Sequence, residues 1–375
     1  MKRLGRGIVR YFKNTDLFLI GLCAACSTYS VLLLCGVYNS GMAIFRVVQM
    51  QLFSSLVGIF AAMGVSTIDY KQAASLWKLY YPVAIGLVVL TFFFGEQRTE
   101  TVDDQAWLPI PFLNMNFQPS ELLKIAFILT FAYHLEKVGD DIRELKSLLG
   151  LCLHGAMPVL LTHLQGDDGT ALVFLFIFVC MIFSAGLQLR YVLAAIGLAA
   201  VAVPVAWFYI MSDDQKLRIL ALFYPELDTA GILYQQYNAK IAIGSGGGFG
   251  EGLFIGEHVY VPEIYNDFIF SFAGQAVGFV GCMGIILLLF ALCSRFLYIA
   301  RKSGDLLGGF VGVGLFATFA FQTIINIGMN LSILPVIGIT LPLFSAGGTS
   351  VLTLYLGIGL ALSVYMHNRE HLFMN

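Results

Sequence analysis

The chain has 375 residues, of which 58% are hydrophobic and 12% charged, and a net charge of -2. Soluble domains carry roughly 25% charged residues, so this composition excludes a water-soluble globular protein and points to the membrane. With no basic domain and no low-complexity tail, it also excludes a nucleic-acid binder.

The N-terminal stretch MKRLGRGIVRYFK is basic and precedes an apolar run over 17–37. That run is long enough to span a bilayer and no small-residue cleavage site follows, which predicts an uncleaved first helix behind a cytoplasmic segment 1–16. Within the run, Cys23 and Cys26 form a CxxC without a second ligand pair; they read as core packing rather than metal or redox chemistry. The scattered cysteines imply no disulfide framework. Further spanning runs follow at 47–68, 77–94, 120–135, 148–164, 169–186 and 191–210, and, after a long polar interruption, at 268–299, 307–329 and 345–366. The expected fold class is therefore an all-α integral membrane protein: one polytopic domain over 1–375, a bundle of about ten transmembrane helices.

An even number of spans puts both termini on one side. Most of the Lys and Arg fall there, from Lys2 and Arg3 through Lys71, Lys146 and Arg190 to Arg301 and Arg369. The positive-inside rule makes that side cytoplasmic. The opposite side then holds most of the acids and three long connections, 95–119, 211–266 and 330–346. The segment 211–267 is thus a large extracytoplasmic loop between the seventh and eighth helices, and function should face outward. The short cytoplasmic loops and the absence of a GxxxxGK[ST] pattern argue against an ATP-driven pump.

Several charges lie where lipid begins. In NFQPSELLKIAF, Pro119 suits a first helical turn and Ser120 a cap, which puts Glu121 and Lys124 on one face at i and i+3. They are either an interfacial pair that snorkels or a held, functional pair. In HLQGDDGTALVF, Asp168 reads as solvating a tight turn and Asp167 as the acid with an inward role; His163, like His258 in the large loop, reads as an ordinary hydrogen-bonded histidine without metal-ligand spacing. The run GSGGGFGEG (244–252) lacks the GxGxxG spacing of a dinucleotide site; hinge, re-entrant segment and close backbone approach to a ligand remain, with the last favoured over a plain turn. VYVPEIYNDFIF (259–270) brings Glu263 and Asp267 to the edge of an apolar run. An acid there is either a helix-start residue favoured by capping and the dipole or a carboxylate whose desolvation serves a purpose. Finally, LPVIGITLPLFSAGGTS (334–350) is too apolar for a free loop and too rich in Pro and Gly for a helix, and reads as re-entrant.

Four of these stretches, NFQPSELLKI, QGDDGTAL, YQQYNAKIAIGSGGGFGEGL running into VPEIYNDFIF, and LPVIGITLPLFSAGGTS, together resemble the SEDS family of polytopic peptidoglycan glycosyltransferases. They match its patterns FQPSExxK, QPDxGTA, IGSGG, PExxxDFIF and LPxxGxxLPxxSxGG in order, across nearly the whole chain. The short termini and LPVIGITLP are most similar to the elongation-type, rod-shape-determining members, with division or sporulation types as the alternative. Four positions depart from the family: Gly166 replaces a usual Pro, Ala346 a Tyr, and Gln275 with Ala276 a pair of Glu.

The resemblance implies a bacterial cytoplasmic-membrane enzyme that polymerises lipid II outside the membrane, with Asp267 as the essential catalytic acid and Glu121 and Lys124 functionally important. It also implies a class B penicillin-binding protein as partner, for which Gly308, Gly309, Gly312 and Gly314 offer either a helix-packing surface or, as the plainer use, core packing. In the implied reaction a sugar hydroxyl attacks the anomeric carbon of a donor whose leaving group is undecaprenyl pyrophosphate. An α-linked donor giving a β-linked product inverts in one displacement, which needs a base and positive charge at the leaving group. Asp267, its pKa expected to be raised by desolvation, meets the first need. For substrate binding the candidates are Lys124 first, then Arg98, Lys216, Arg218 and Lys240, with Arg46 also on the outer side, and the acids Glu121, Asp167 and Glu263. The sequence assigns no cofactor; a divalent Mg or Mn ion bridging pyrophosphate and an acid is an open alternative to the side-chain cations. A flippase for a lipid-linked precursor is the alternative from another class.

Overall fold

The computed structural model describes residues 9, 11–95, 105–110, 115–224, 233–255 and 257–372. The candidate Arg98 lies outside them. The chain is helical almost throughout, because a backbone in hydrocarbon must satisfy its own hydrogen bonds. In chain order the helices are α1 (Leu17–Asn39), α2 (Phe45–Ser66), the short α3 (Tyr70–Ser75), α4 (Trp77–Phe94), α5 (Pro119–Val138), α6 (Leu145–Leu164), α7 (Asp168–Ser184), α8 (Leu189–Val205), α9 (Asp213–Phe223), α10 (Tyr234–Ser245), α11 (Ile269–Lys302), α12 (Leu306–Asn330) and α13 (Gly348–Leu372). A two-stranded antiparallel ribbon, β1 (Leu108–Ile110) with β2 (Met115–Phe117), precedes α5 and pairs Leu108 with Phe117.

Among the described residues eight helices are long and apolar enough to cross a membrane. The remaining two of the expected spans are α5, which carries Glu121, Lys124, Glu136 and Lys137, and α7, which has 17 residues. The molecule is a multi-pass membrane protein. Its outer faces are apolar, with Leu149, Leu153 and Leu160 of α6 and Phe279, Leu287 and Phe290 of α11 exposed. The interior, by contrast, holds Glu121, Lys124, Asn326 and Asn330.

The centre of the bundle is α12, which packs against α11, α7 and α5, while α13 lies along α2 and α1 against α11. Helix α8 has no buried residue. The glycines of α12 are consumed inside the bundle: a Cβ at Gly312 would meet Ala300 at 2.7 Å and one at Gly314 would meet Ile128 at 2.7 Å. Core packing is thus the use of Gly312 and Gly314, while Gly309 is partly exposed.

The sequence reading runs the eighth span unbroken from 268; the structure breaks α11 at Gly278 (φ 72°, ψ -164°). The break frees peptide groups on both sides, and the 244–252 glycine run supplies their partners. Glu251 and Gly252 N–H donate to the carbonyls of Gln275 and Ala276 at 2.9 and 3.1 Å, and Phe279 and Val280 N–H donate to Gly247 and Gly248 at 2.9 and 3.1 Å. Only glycine fits here: a Cβ on Gly250 would lie 2.4 Å from the Ala276 oxygen. The expected close backbone approach is present, but its object is the protein's own helix, not a ligand.

Candidate active site

Asp267 precedes α11 at the end of a compact turn that begins at Pro262 and is 7% exposed. The helix-start alternative for this acid is not realised in the usual form, since Phe268 holds the N-cap position and has no side-chain cap bond. Glu263 adopts φ 56°, uncommon for a non-glycine residue. Its carbonyl accepts from Asn266 and Phe268 N–H at 3.0 and 3.3 Å, and its carboxylate accepts from the Asn266 amide at 2.6 Å. Glu263 is therefore built into the turn that presents Asp267.

The turn is held from the other side by the 331–347 connection, which is irregular and well packed, as its re-entrant composition implies. The Tyr265 carbonyl accepts from Ala346 N–H at 2.8 Å, and the Asn266 carbonyl accepts from the Ser345 hydroxyl at 2.5 Å. The Asp267 carbonyl accepts from the side-chain amides of Asn326 and Asn330. The sequence reading gives these two asparagines no role; their spacing of four, which puts both on one helix face, is the signal that could have found them.

A second cluster lies at the start of α5 and α7. Pro119 takes the first helical position of α5, but Gln118 is the N-cap and the Ser120 hydroxyl caps nothing, contrary to the expected Ser120 cap. The pairing of Lys124 Nζ with Glu121 Oε1 at 2.7 Å is as expected, and both side chains are buried. Snorkelling is excluded by that burial. Asp167 caps α7 by accepting from Thr170 N–H at 2.9 Å, and its second oxygen accepts from the Gln118 amide at 2.7 Å. Although partly accessible, it is enclosed closely enough that lost hydration pushes its carboxyl above the usual range, against the pull of Thr170 and the Lys124 ammonium and with the Glu121 carboxylate adding to the push.

Asp168 does more than solvate a turn: it pairs with His163 Nδ1 at 2.5 Å and accepts from the Gln215 amide of α9 at 2.7 Å. His258 contacts Ser40 Oγ at 2.7 Å and the Gly252 carbonyl at 3.1 Å, joining the large loop to α1. On α9, Lys216 lies 3.8 Å from Asp213 and Arg218 donates to the Val336 carbonyl at 3.4 Å. Lys240 is exposed on α10.

The two clusters flank the same re-entrant segment. Asn326 joins Asp267 to the Ile339 carbonyl, and Gly169, in the first turn of α7, is so close to Ile337 that a Cβ would lie 2.4 Å from its oxygen. Beside the Asp267 turn is a cavity of about 220 Å³, lined by Arg46, Met50 and Gln51 of α2 together with Tyr265, Asn266, Ala346 and Gly347. The departure at Ala346 thus adjoins open space. At Gln275 the amide donates to Glu251 at 2.8 Å while its oxygen accepts from Val259 N–H at 2.9 Å. A carboxylate at 275 would face Glu251 with like charge. Among the described residues no three His, Cys, Asp or Glu side chains converge to hold a metal ion.

Residues 13–370 match the family profile described as cell cycle protein, covering FtsW, RodA and SpoVE. A probable peptidoglycan glycosyltransferase FtsW of Trichlorobacter lovleyi is 33% identical over 324 residues, 84% of this chain and 82% of the relative. The peptidoglycan glycosyltransferase MrdB of Escherichia coli K12 is 33% identical over 299 residues, 78% of this chain and 79% of the relative. In structure, the chain resembles one from a peptidoglycan synthase complex that coordinates polymerization and crosslinking, with TM-score 0.79, 27% identity and coverage of 94% and 98% of the two chains. It also resembles the rod shape determining protein RodA of Thermus thermophilus, with TM-score 0.69, 25% identity and coverage of 94% and 97%.

Proposed function

We propose, from the premise that the chain belongs to the FtsW, RodA and SpoVE (SEDS) family, that Asp267 is the base with which this peptidoglycan glycosyltransferase polymerises lipid II. The observation that carries the reading is the placement of Asp267: a buried residue on a turn pinned by α12 and the re-entrant segment, whose preceding residues Tyr265 and Asn266 line a cavity with Arg46.

The acceptor hydroxyl gives its proton to Asp267 as its oxygen attacks the anomeric carbon, and the bond to the pyrophosphate oxygen breaks on the opposite face. One base and one displacement give inversion. Undecaprenyl pyrophosphate departs with its charge met by cations. Lys124, already committed to Glu121 and buried, orders that site, and the cations assigned to the substrate are Arg46 in the cavity wall with Lys216, Arg218 and Lys240 of the outer loop. A Mg or Mn ion, where used, would be held by the pyrophosphate with one of the acids Asp167 and Glu263 rather than by a protein cage.

The Asp267 end of the bundle faces outward and the termini face the cytoplasm of a bacterial cell, in line with the charge asymmetry. An elongation role fits LPVIGITLP and the RodA-like fold. Assembly with a class B penicillin-binding protein fits the likeness to a synthase complex. Purified protein given labelled lipid II should make glycan polymer, and Asp267→Ala should stop it with an unchanged melting temperature; full polymerisation by that variant overturns the assignment.

A further inference from the structure

Three successive carbonyls of the Asp267 turn are held by donors from one stretch of chain, α12 to the start of α13. The contribution of α12 is two asparagines that are 0% exposed. The Asn326 Nδ2 group donates one hydrogen to the Asp267 carbonyl at 2.8 Å and the other to the Ile339 carbonyl at 2.7 Å. The Asn330 Nδ2 group donates to the same Asp267 carbonyl at 3.0 Å and to the Asn326 carbonyl at 2.9 Å. The Asn330 Oδ1 accepts from Ser271 N–H at 3.0 Å.

Both amide orientations are fixed by their partners, because Asn326 Nδ2 faces only acceptors and Asn330 Oδ1 faces a donor. Ser271 stands at the third position of α11, where a capping side chain normally takes a free N–H. The Phe268 side chain cannot do this; the Ser271 N–H is shared between the Phe268 carbonyl at 3.0 Å and Asn330 Oδ1, which caps the turn from another helix. The Asp267–Phe268 peptide and the first turn of α11 that follows it are thus tied to α12, at the centre of the bundle. A polar network this deep is costly unless every member is satisfied.

We infer that Asn326 and Asn330 are positioning residues for glycosyl transfer, fixing the Asp267 main chain so that its carboxylate stays within reach of the acceptor hydroxyl. The inference rests on Asp267 being the base. Loss of either amide lets the turn shift, and a displacement of about 1 Å at a reacting group lowers rate about 100-fold.

The test measures polymer formation from labelled lipid II by the full chain in liposomes, per folded protein, for Asn326→Ala, Asn330→Ala, Ser345→Ala and Asp267→Ala. Thr318→Val, at a buried position on α12 whose hydroxyl donates to the Gly314 carbonyl of the same helix, is the control. Expected are a fall in kcat of about 10- to 100-fold for the asparagine variants, KM within about twofold, and a displaced acid limb of the pH–rate profile. Ser345→Ala, which removes a single donor and leaves Ala346 N–H in place, should give a smaller fall of the same kind. It stands in should the asparagine variants fail to fold. Thr318→Val should match wild type. Wild-type kcat with an unmoved acid limb in the folded variants, beside an inactive Asp267→Ala, overturns the positioning role alone. An active Asp267→Ala overturns the base assignment and this inference with it.

Discussion

The two ends of the bundle use buried polar groups in opposite ways. At the Arg295 end, side chains close helices against one another: Asp16 caps α1 at Leu19 N–H and accepts from Arg295 of α11 at 2.5 Å, and Asp305 caps α12 while bonding Lys71 at 2.8 Å and the Tyr70 hydroxyl. At the Asp267 end they hold backbone that is not helical, and the Glu121–Lys124 pair is sealed from water. Locks at helix ends stabilise whatever fold they join. A pinned irregular turn has no such general use, and it marks where geometry rather than stability is being held.

That contrast breaks first at the sealed pair. Glu121→Ala leaves the Lys124 ammonium buried and unpaired and should cost about 3–5 kcal/mol, read as a lower melting temperature. Glu121→Leu with Lys124→Met should restore melting but not polymerisation; recovery of both would reduce the pair to packing. At the other end, Asp16→Ala should cost about 1 kcal/mol for the cap plus the ion pair, with polymerisation per folded protein unchanged.

A smaller effect, visible only with pH, separates two of the acid caps, Asp305 and Asp167. Burial alone would raise the Asp305 carboxyl, but Gly308 N–H, Lys71 and Tyr70 outweigh it and hold it below its ordinary value. A depressed carboxyl contributes stability above its unfolded pKa and loses it as pH falls through the folded value. The melting advantage of wild type over Asp305→Asn should therefore shrink in acid. Asp167 has the opposite sign: its raised carboxyl favours the fold at low pH, and that contribution is lost as pH rises through the folded value. Asp167→Asn, which keeps a capping oxygen, should melt at or slightly above wild type at neutral pH, and a marked drop would contradict the sign.

The spans were legible because a bilayer demands long apolar runs, and charge asymmetry ordered them. Glu121 with Lys124 was legible because three residues on a helix is a contact. What could not be read was distant pairing. Gly278 breaks α11 only because the 244–252 run waits to bond the freed peptides, and nothing local at 278 announces it. Gln118 with Asp167, and Asn326 with Asp267, join motifs read separately; each bond crosses dozens of residues. The Ser120 cap failed because Gln118, extended before Pro119, already ends the preceding segment.

The break at Gly278 bears on membrane thickness. Unbroken, the 34 residues of α11 would reach about 50 Å, well beyond a hydrocarbon core of about 30 Å. Divided, the helix gives a shaft from Phe279 to Lys302 that crosses the lipid and a short platform, Ile269 to Val277, bonded to the glycine run. A shaft accommodates thicker or thinner bilayers by tilting. The platform packs on α10 and α12, and the glycine run holds both it and the head of the shaft at Phe279 and Val280, so the Asp267 turn stands outside the length that the lipid spans.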